Sequence, residues 1–225
     1  MLFRSAADGK RLAYVHTTET TPRLEVITLP SGRVTGASAD IDDMLAVPVP
    51  PSGYLAQSSD GILQVADSLG GRWRALGIPD SLRITRFDLS PEGTRAVFVA
   101  TANDISFAPG ADRTRNGRRV LMVGMVSLVG DTVRMIRQLD AEEASPSIGW
   151  SRDGTINLGR WLAADERPSL WRLSPTDGRL ERTADLPVGC RPDSIRLSAD
   201  GRTGTCTAED FGSDVWFVGA EETRR

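Results

Sequence analysis

The chain has 225 residues, of which 40% are hydrophobic and 25% are charged, a composition typical of an ordinary globular protein. Its 27 basic and 30 acidic residues leave a net charge of −3, which gives no reason to expect nucleic acid or an anionic membrane surface as a partner. No apolar run approaches the roughly 20 residues of a membrane-spanning helix, and the N-terminus lacks the apolar core of a secretory signal. We therefore expect no membrane insertion and, for the sequence as written, a cytoplasmic location. The alternative is an extracytoplasmic location, if the chain is a fragment of an anchored or exported protein.

The chain begins with a predicted hairpin around Gly9, and this arrangement recurs along the sequence. A glycine that follows a short polar residue lies between two apolar stretches at positions 9, 53, 93, 154 and 201. Hairpin turns of this kind need a positive φ, which glycine adopts without steric cost. Most of the intervals are a little over forty residues, a period typical of β-propellers in which each repeat is a four-stranded blade.

Further strands can be predicted around each of these turns. Second strands are predicted at 11–15, 54–57, 96–99, 156–161 and 203–207. Third strands, the most apolar ones, are predicted at 23–29, 62–65, 120–126, 170–173 and 214–218. Another glycine-bearing turn, at 31–33, 70–72, 130–132 and 177–179, leads to a polar outermost strand. We predict an all-β fold, a single β-propeller domain over 1–225 with about five four-stranded antiparallel blades at approximately 1–40, 41–80, 81–143, 144–188 and 189–225.

The third unit departs from the period because of an insertion between its second and third strands. This segment, from Asn103 to Gly117, is about 15 residues longer than its counterparts, and long loops inside compact domains are usually either functional or disordered. In a propeller, such loops emerge on the same face as the loops between blades. An arginine cluster there could bind an acidic peptide or a phosphate. The alternative is a solvated loop without a partner. The predicted binding residues are Arg113, Arg115, Arg118 and Arg119.

The repeat also has a family resemblance. The segment Phe87-Asp-Leu-Ser-Pro-Glu-Gly-Thr-Arg-Ala-Val-Phe-Val99 resembles the F-S-P-D-G-K-R-I-A-F-V core of the TolB-type, WD-like β-propeller repeat. Residues 5–15, 148–154 and 195–201 are similar to it, and residues 213–218 resemble the strand that often ends such propellers. The resemblance implies a fold rather than an activity. The function we expect is that of a bacterial, non-catalytic propeller that binds a protein or peptide as a scaffold or sensor module. The resemblance also leaves an enzymatic alternative: the accessory propeller of a peptidase, or a lactonase-like hydrolase with its site in the central channel.

The resemblance leaves the number of blades open. Members of the family generally have six or more blades, so the propeller is either closed with five blades or open and truncated. We expect a monomer, or an edge-capped dimer if the propeller is open, because exposed sheet edges favour association.

The residue types that usually carry catalysis are scarce. His16 is the only histidine and has no cysteine or carboxylate at ligand spacing, so we predict no metal site and no cofactor. A single histidine in this position also disfavours a Ser-His-Asp hydrolase, and no Gly-x-Ser-x-Gly motif is present. We therefore expect a non-catalytic protein. The carboxylates that precede the turn glycines are interpreted as turn residues rather than calcium ligands. They are Asp8, Glu92, Asp153 and Asp200.

Cys190 and Cys206 are the only cysteines. If the chain is extended before Ile195, the turn at Asp200-Gly201 places Cys206 opposite Ile195 and leaves Cys190 about 16 Å further along. A disulfide needs Cα atoms within about 7 Å. We therefore predict two free thiols.

Overall fold

A computed structural model of the chain describes residues 3–5, 9–17, 22–38, 46–49, 53–58, 60–68, 70–102, 120–139, 146–162, 167–191, 194–197, 203–207 and 215–219. These residues form β-strands connected by turns, so the predicted all-β class is confirmed. None of them belongs to a helix long and apolar enough to span a lipid bilayer.

The strands form five sheets that follow one another along the chain, and in each sheet every strand pairs with the next one in sequence. The first sheet contains β1 (Phe3–Ser5), β2 (Arg11–Thr17), β3 (Pro22–Thr28) and β4 (Arg33–Ser38). The second contains β5 (Ala46–Val49), β6 (Gly53–Gln57), β7 (Leu63–Ala66) and β8 (Arg74–Ala75). The third contains β9 (Leu82–Leu89), β10 (Arg95–Ala102), β11 (Val120–Ser127) and β12 (Val133–Leu139). The fourth contains β13 (Ser147–Trp150), β14 (Ile156–Arg160), β15 (Ser169–Leu173) and β16 (Leu180–Asp185). The described part of the fifth contains β17 (Arg196–Leu197), β18 (Thr203–Thr207) and β19 (Val215–Gly219).

The glycine turns explain where these strands begin. Gly9, Gly93 and Gly154 have φ values of 66°, 73° and 82°, the left-handed conformation that the hairpin prediction requires. The prediction of a turn centred on Gly53 is wrong, because Gly53 already belongs to β6 and pairs with Val49 of β5. The chain therefore reverses before this glycine.

The turns before the outermost strands also follow the prediction, with one difference. Gly32, Gly70 and Gly178 have positive φ. In the third sheet, however, the left-handed residue is Asp131, with a φ of 51°, rather than the adjacent Gly130. Aspartate tolerates this conformation better than most side chains because its short polar group can bond to the local backbone.

The chain divides into two compact units. One comprises residues 1–84, 92–96 and 126–134, and the other comprises residues 85–91, 97–125 and 135–225.

In the first unit, the core lies between the first and second sheets. Ala13, Leu24 and Val26 of the first sheet pack against Tyr54 and Ala56 of the second, and all five are buried. Alternate residues of β3 are buried. Side chains of a strand point to opposite faces in turn, so this period of two means that one face of β3 packs against the neighbouring sheet. Consecutive sheets thus pack face to face, as blades do.

A second contact in this unit ties the second sheet to the turn before β12. The Arg74 guanidinium forms an ion pair with Asp131, and its Nη2 donates a hydrogen bond to the Leu128 carbonyl oxygen at 3.0 Å. Both charged side chains are largely exposed, so this ion pair contributes little to stability on its own.

In the second unit, a core cluster lies between the third and fourth sheets. Its buried residues come from alternating positions of six strands: Val97, Val99, Leu121, Val123, Leu139, Ile148, Trp150, Ile156, Leu158 and Leu173. The partly buried side chain of Trp171, in β15, packs against this cluster.

Two hydrogen bonds join the same two sheets. Asp88 Oδ2 accepts a bond from the backbone N–H of Trp150 at 2.9 Å. Arg137 Nη1 donates a bond to the Gly178 carbonyl oxygen at 2.8 Å. Sheet-to-sheet packing in this unit therefore has polar contacts of defined geometry beside the apolar cluster.

The prediction of two free thiols is wrong, because Cys190 and Cys206 form a disulfide with a Cα–Cα distance of 5.7 Å. The predicted hairpin register is nevertheless correct, since Arg196 pairs with Thr205. The error lies in the assumption that the chain is extended before Ile195.

Instead, the chain forms a turn at residues 187–190, shortly before β17. Gly189 has a φ of 84°, and Cys190 N–H donates to the Pro187 carbonyl oxygen at 3.1 Å. The N–H of Arg191 then donates to the Thr207 carbonyl oxygen at 2.8 Å, which places Cys190 beside the end of β18. The disulfide lies in a small buried cluster with Leu186 and Ile195.

Candidate binding surface

The predicted binding residues lie in a segment whose attachment points are described. Arg113, Arg115, Arg118 and Arg119 themselves fall outside the described residues. The segment 103–119 connects Ala102, the last residue of β10, with Val120, the first residue of β11. The prediction that it joins the second and third strands of the third sheet is confirmed, whereas the role of the arginines stays a prediction.

In an antiparallel meander, alternate connections lie at opposite ends of the sheet. The segment between the second and third strands and the segment that leads to the next sheet therefore share one end, which we call the loop end. The turns between the first and second strands and between the third and fourth strands share the other, which we call the turn end. The segment 103–119 belongs to the loop end of the third sheet.

The second sheet has a loop end that the structure describes in detail. Residues 58–62 connect β6 with β7, and residues 76–81 lead from β8 to β9. The first connection is a tight turn in which Gly61, with a φ of 82°, donates its N–H to the Ser58 carbonyl oxygen at 2.9 Å. Ser58 Oγ accepts a further bond from the N–H of Ile62 at 3.2 Å. These bonds fix the turn and the direction of the residues beside it.

The second connection at this end is equally well held. The N–H of Ile78 donates to the Leu76 carbonyl oxygen at 2.7 Å, and the N–H of Leu82 donates to the Pro79 carbonyl oxygen at 2.9 Å. The buried Gln57 side chain joins β6 and β9, the strands next to the two connections, because its Nε2 donates to the Ile84 carbonyl oxygen at 2.8 Å. The loop end of the second sheet is therefore a preorganised surface.

A cavity of about 130 Å³ lies between these two connections. Most of its wall is apolar and is formed by Ile62, Leu63, Ile78, Pro79, Leu82 and Ile84. Asp60, Gly61 and Asp80 complete the lining. Both aspartates are exposed, and within the described part of the chain neither forms a hydrogen bond or an ion pair.

Sequence reasoning missed this cavity because it is built from two segments about twenty residues apart. Asp60-Gly61 and Pro79-Asp80 are each ordinary turn sequences. Neither contains a motif, and only the pairing of the strands brings them together.

The loop end of the fourth sheet has a different chemistry. Arg160, the last residue of β14, is only 1% exposed, and its guanidinium lies 5.0 Å from the centre of the Trp171 ring. Trp171 Nε1 donates to Ser169 Oγ at 2.8 Å, which fixes the ring. The adjacent Trp161 is 37% exposed. The arginine in the predicted strand from Ile156 to Trp161, next to a tryptophan, is the sequence signal that could have indicated this contact.

The interpretation of the repeated carboxylates as turn residues holds where they are described. Asp153 Oδ1 accepts hydrogen bonds from Thr155 N–H at 3.0 Å and Thr155 Oγ1 at 2.7 Å. These bonds lower the pKa of Asp153, and the charge of Arg172 lowers it further. Glu92 Oε1 accepts a bond from Arg95 Nε at 2.9 Å. Asp8 and Asp200 lie outside the described residues.

No metal centre can be assembled from the described residues, since no three of their histidine, cysteine or acidic side chains form a group that could hold an ion. His16 lies in β2 opposite Arg23, and its side chain is outside the described part.

The chain is similar to several solved structures. TolB from Acinetobacter baumannii superposes with a TM-score of 0.67 at 14% identity, over 97% of this chain and 51% of that chain. Oligogalacturonate lyase from Vibrio parahaemolyticus superposes with a TM-score of 0.60 at 9% identity, over 96% of this chain and 73% of that one. A chain of a nidogen/laminin complex gives a TM-score of 0.62 at 13% identity, over 92% of this chain and 70% of that one. No family model and no curated protein matches the chain.

These similarities show that the fold is a TolB-like β-propeller, as the repeat predicts. At these identities they show the fold alone, since TolB, a lyase and a member of a protein complex share it. This chain spans about half the length of the Acinetobacter TolB. The number of blades in the native molecule, the blade boundaries and the oligomeric state stay predictions.

Proposed function

We propose that this protein is a non-catalytic TolB-like propeller whose loop ends bind a protein or peptide, so that it acts as a scaffold or sensor module. One observation carries the proposal. The loop end of the second sheet is a surface fixed by hydrogen bonds, and it presents a cavity and two carboxylates that bond to no other described residue. Binding sites are commonly concave, mostly apolar and furnished with a few polar groups of this kind.

The long segment of the third sheet supplies a second set of candidate contacts. It is attached at the loop end and carries four arginines. Arginine binds carboxylates through two parallel hydrogen bonds, so it suits recognition of acidic side chains. One of the similar structures is that of a nidogen/laminin complex, so a chain of this fold occurs in a complex of proteins.

The disulfide supports a location outside the cytoplasm for this activity. Disulfides persist in oxidising compartments and are rare where thiols are kept reduced. We therefore propose that the protein works outside the cytoplasm, the alternative that the sequence left open, rather than inside it.

A peptide display library selected against the immobilised protein tests the proposal. We expect selected peptides to be enriched in acidic residues, since arginine-rich surfaces favour them. Their affinity should fall by about tenfold or more when Arg113, Arg115, Arg118 and Arg119 are all changed to serine, because a hydrogen bond to a charged group contributes about 1.5–3 kcal/mol.

A charge-matched control separates a local contact from a general effect of charge. The control variant changes four exposed arginines that lie at turn ends: Arg33, Arg72, Arg152 and Arg179. Changing them to serine removes the same number of charges and should leave the affinity within about twofold, because exposed charges away from the contact interact weakly through water. Equal loss in both variants, or no selected peptide at all, would contradict the proposal.

A further inference from the structure

We propose that the cavity at the loop end of the second sheet holds the side chain of one lysine or arginine from the partner polypeptide. The inference rests on the proposed function and adds to it the chemistry of one contact residue. The occupant is an alkyl chain that ends in a cation, and both parts have counterparts in the wall.

The size of the cavity suits one side chain. Its volume is about 130 Å³. A protein cavity of about 150 Å³ holds one benzene molecule, so this one accepts a group of similar size but not a folded segment. The occupant must therefore project from a chain that lies across the surface.

The apolar wall suits the alkyl part of such a side chain. Lysine and arginine bury their methylene groups along apolar surface while the charged head stays at the polar rim. Ile62, which is 39% exposed, together with Ile78 and Ile84 offers such a surface. Covering it removes apolar area from water, which stabilises the complex by about 25 cal/mol per Å² before the costs of association.

The two carboxylates suit the charged head. Asp60 and Asp80 come from the two different connections, and both contribute to the same lining. Neither is neutralised by an arginine or lysine among the described residues. A cation between them therefore interacts with two negative charges that the folded chain leaves available, in a site partly shielded from water where such interactions are stronger.

The arrangement also explains why the connections are held so firmly. Gln57 bonds to the Ile84 carbonyl oxygen, and a Cβ on Gly61 would lie 3.4 Å from Gln57 Nε2. The backbone at Gly61 has a φ of 82°, which other residues rarely adopt. The cavity is therefore present before the partner arrives, which lowers the ordering cost of binding.

The first experiment uses a small probe. n-Butylguanidinium chloride is titrated into ¹⁵N-labelled protein, with n-butylurea as a neutral probe of the same shape. With the cation, we expect the amide signals of Gly61, Ile62 and Asp80 to shift and to reach saturation. With the urea, we expect a dissociation constant at least about tenfold larger. Raising the salt concentration should weaken binding of the cation alone.

Two pairs of substitutions complete this experiment. Asp60→Asn with Asp80→Asn keeps the shape of the wall and removes both charges, so binding of n-butylguanidinium should fall by about tenfold or more. Glu181→Gln with Asp185→Asn removes two exposed carboxylates of β16 and should leave binding unchanged. Absence of shifts in the unaltered protein, equal binding of both probes, or equal binding by the Asp60/Asp80 variant would overturn the inference.

The second experiment separates this inference from the proposed function. A peptide selected by display is synthesised with each lysine replaced in turn by norleucine, or each arginine by citrulline. Both replacements keep the apolar part of the side chain and remove its charge. We expect one replacement to cost about tenfold in affinity for the unaltered protein and little for the Asp60/Asp80 variant. If peptides bind but no replacement depends on these aspartates, the cavity inference fails while the proposed function stands. If n-butylguanidinium binds as expected but no peptide does, the cavity binds cations and the proposed function fails.

Discussion

Contact between Phe98 and Gly124 shows how a single residue sets the packing of the third sheet. Phe98 of β10 is fully buried, and its ring lies over Gly124 of β11. A Cβ on Gly124 would lie within 3.0 Å of the ring atoms Cε1, Cε2 and Cζ. The ring is enclosed by the core and cannot move aside without displacing its neighbours, because protein interiors are close-packed.

We therefore predict that Gly124→Ala lowers the free energy of unfolding by about 1–3 kcal/mol, the usual cost of overpacking a core. Chemical denaturation monitored by tryptophan fluorescence measures it. Gly149→Ala is the matched control, because a Cβ on this strand glycine would meet only Asp88 Oδ2 at 3.6 Å, an ordinary contact. A similar loss in both variants would mean that the ring does not occupy the space beside Gly124.

The contribution of Asp153 to the stability of the fold depends on pH. Hydrogen bonds from Thr155 hold its pKa below the ordinary value of 3.8. The ionised form is therefore favoured in the folded state, so its contribution to stability is present above pH 3.8 and is lost as the pH falls through the lowered pKa. Asp153→Asn keeps an acceptor for the turn but has no charge.

We expect Asp153→Asn to be less stable than the unaltered protein at pH 7, by less than about 1 kcal/mol because the side chain is half exposed. The difference should narrow below pH 3.8 and disappear once Asp153 is protonated in the folded protein. Urea unfolding at a series of pH values measures it. A difference that stays constant down to the lowest pH would show that the hydrogen bonds, and not the charge, distinguish the two side chains.

At the scale of elements, the disulfide is the main constraint on the fifth sheet. It closes a loop across a sequence separation of 16 residues and lies in the small cluster with Leu186 and Ile195. Closing a loop of about this length restricts the unfolded chain and stabilises the folded state by about 3 kcal/mol.

We predict that the double variant Cys190→Ser with Cys206→Ser loses about this much stability. Hydrogen exchange should become faster first in β17 and β18, next to the bond. Mass spectrometry of the non-reduced protein checks the premise, because the disulfide lowers the mass by two hydrogen atoms relative to the reduced form. Two alkylatable thiols in protein isolated from an oxidising compartment would contradict the bond and remove the reason for the proposed location.

Much of the strand pattern follows from the sequence, for reasons that particular residues make clear. Gly9, Gly93 and Gly154 mark hairpins because only glycine adopts their backbone conformation freely. The alternation of apolar residues then sets which strand faces are buried. The second strands are predicted to within three residues at either end, and β18 is predicted without error.

The features that the sequence could not supply depend on contacts between distant segments. The pairing of Cys190 with Cys206 requires the turn at Gly189, which has no counterpart in the repeat. The cavity requires β6, β7 and β9 to bring Asp60 beside Asp80. Local signals such as turn residues and strand periodicity predict neither the disulfide pairing nor the cavity.

In the molecule as a whole, the two ends of the described sheets carry different groups. The turn ends are short, and their polar side chains bond within the turn, as Asp153 does with Thr155. The loop ends carry the cavity, the buried Arg160 beside Trp171, and the attachment of the arginine-bearing segment. In propellers, as in other folds, binding groups are concentrated on connections held by a rigid scaffold.

Hydrogen–deuterium exchange of the protein with and without a saturating peptide from the display selection tests whether a polypeptide partner binds the loop ends. We predict slower exchange in residues 58–62, 76–81 and 103–119, with no change in the turn-end residues 29–33, 128–132 and 174–179. Protection confined to the turn-end residues, or spread equally over both ends, would contradict this prediction.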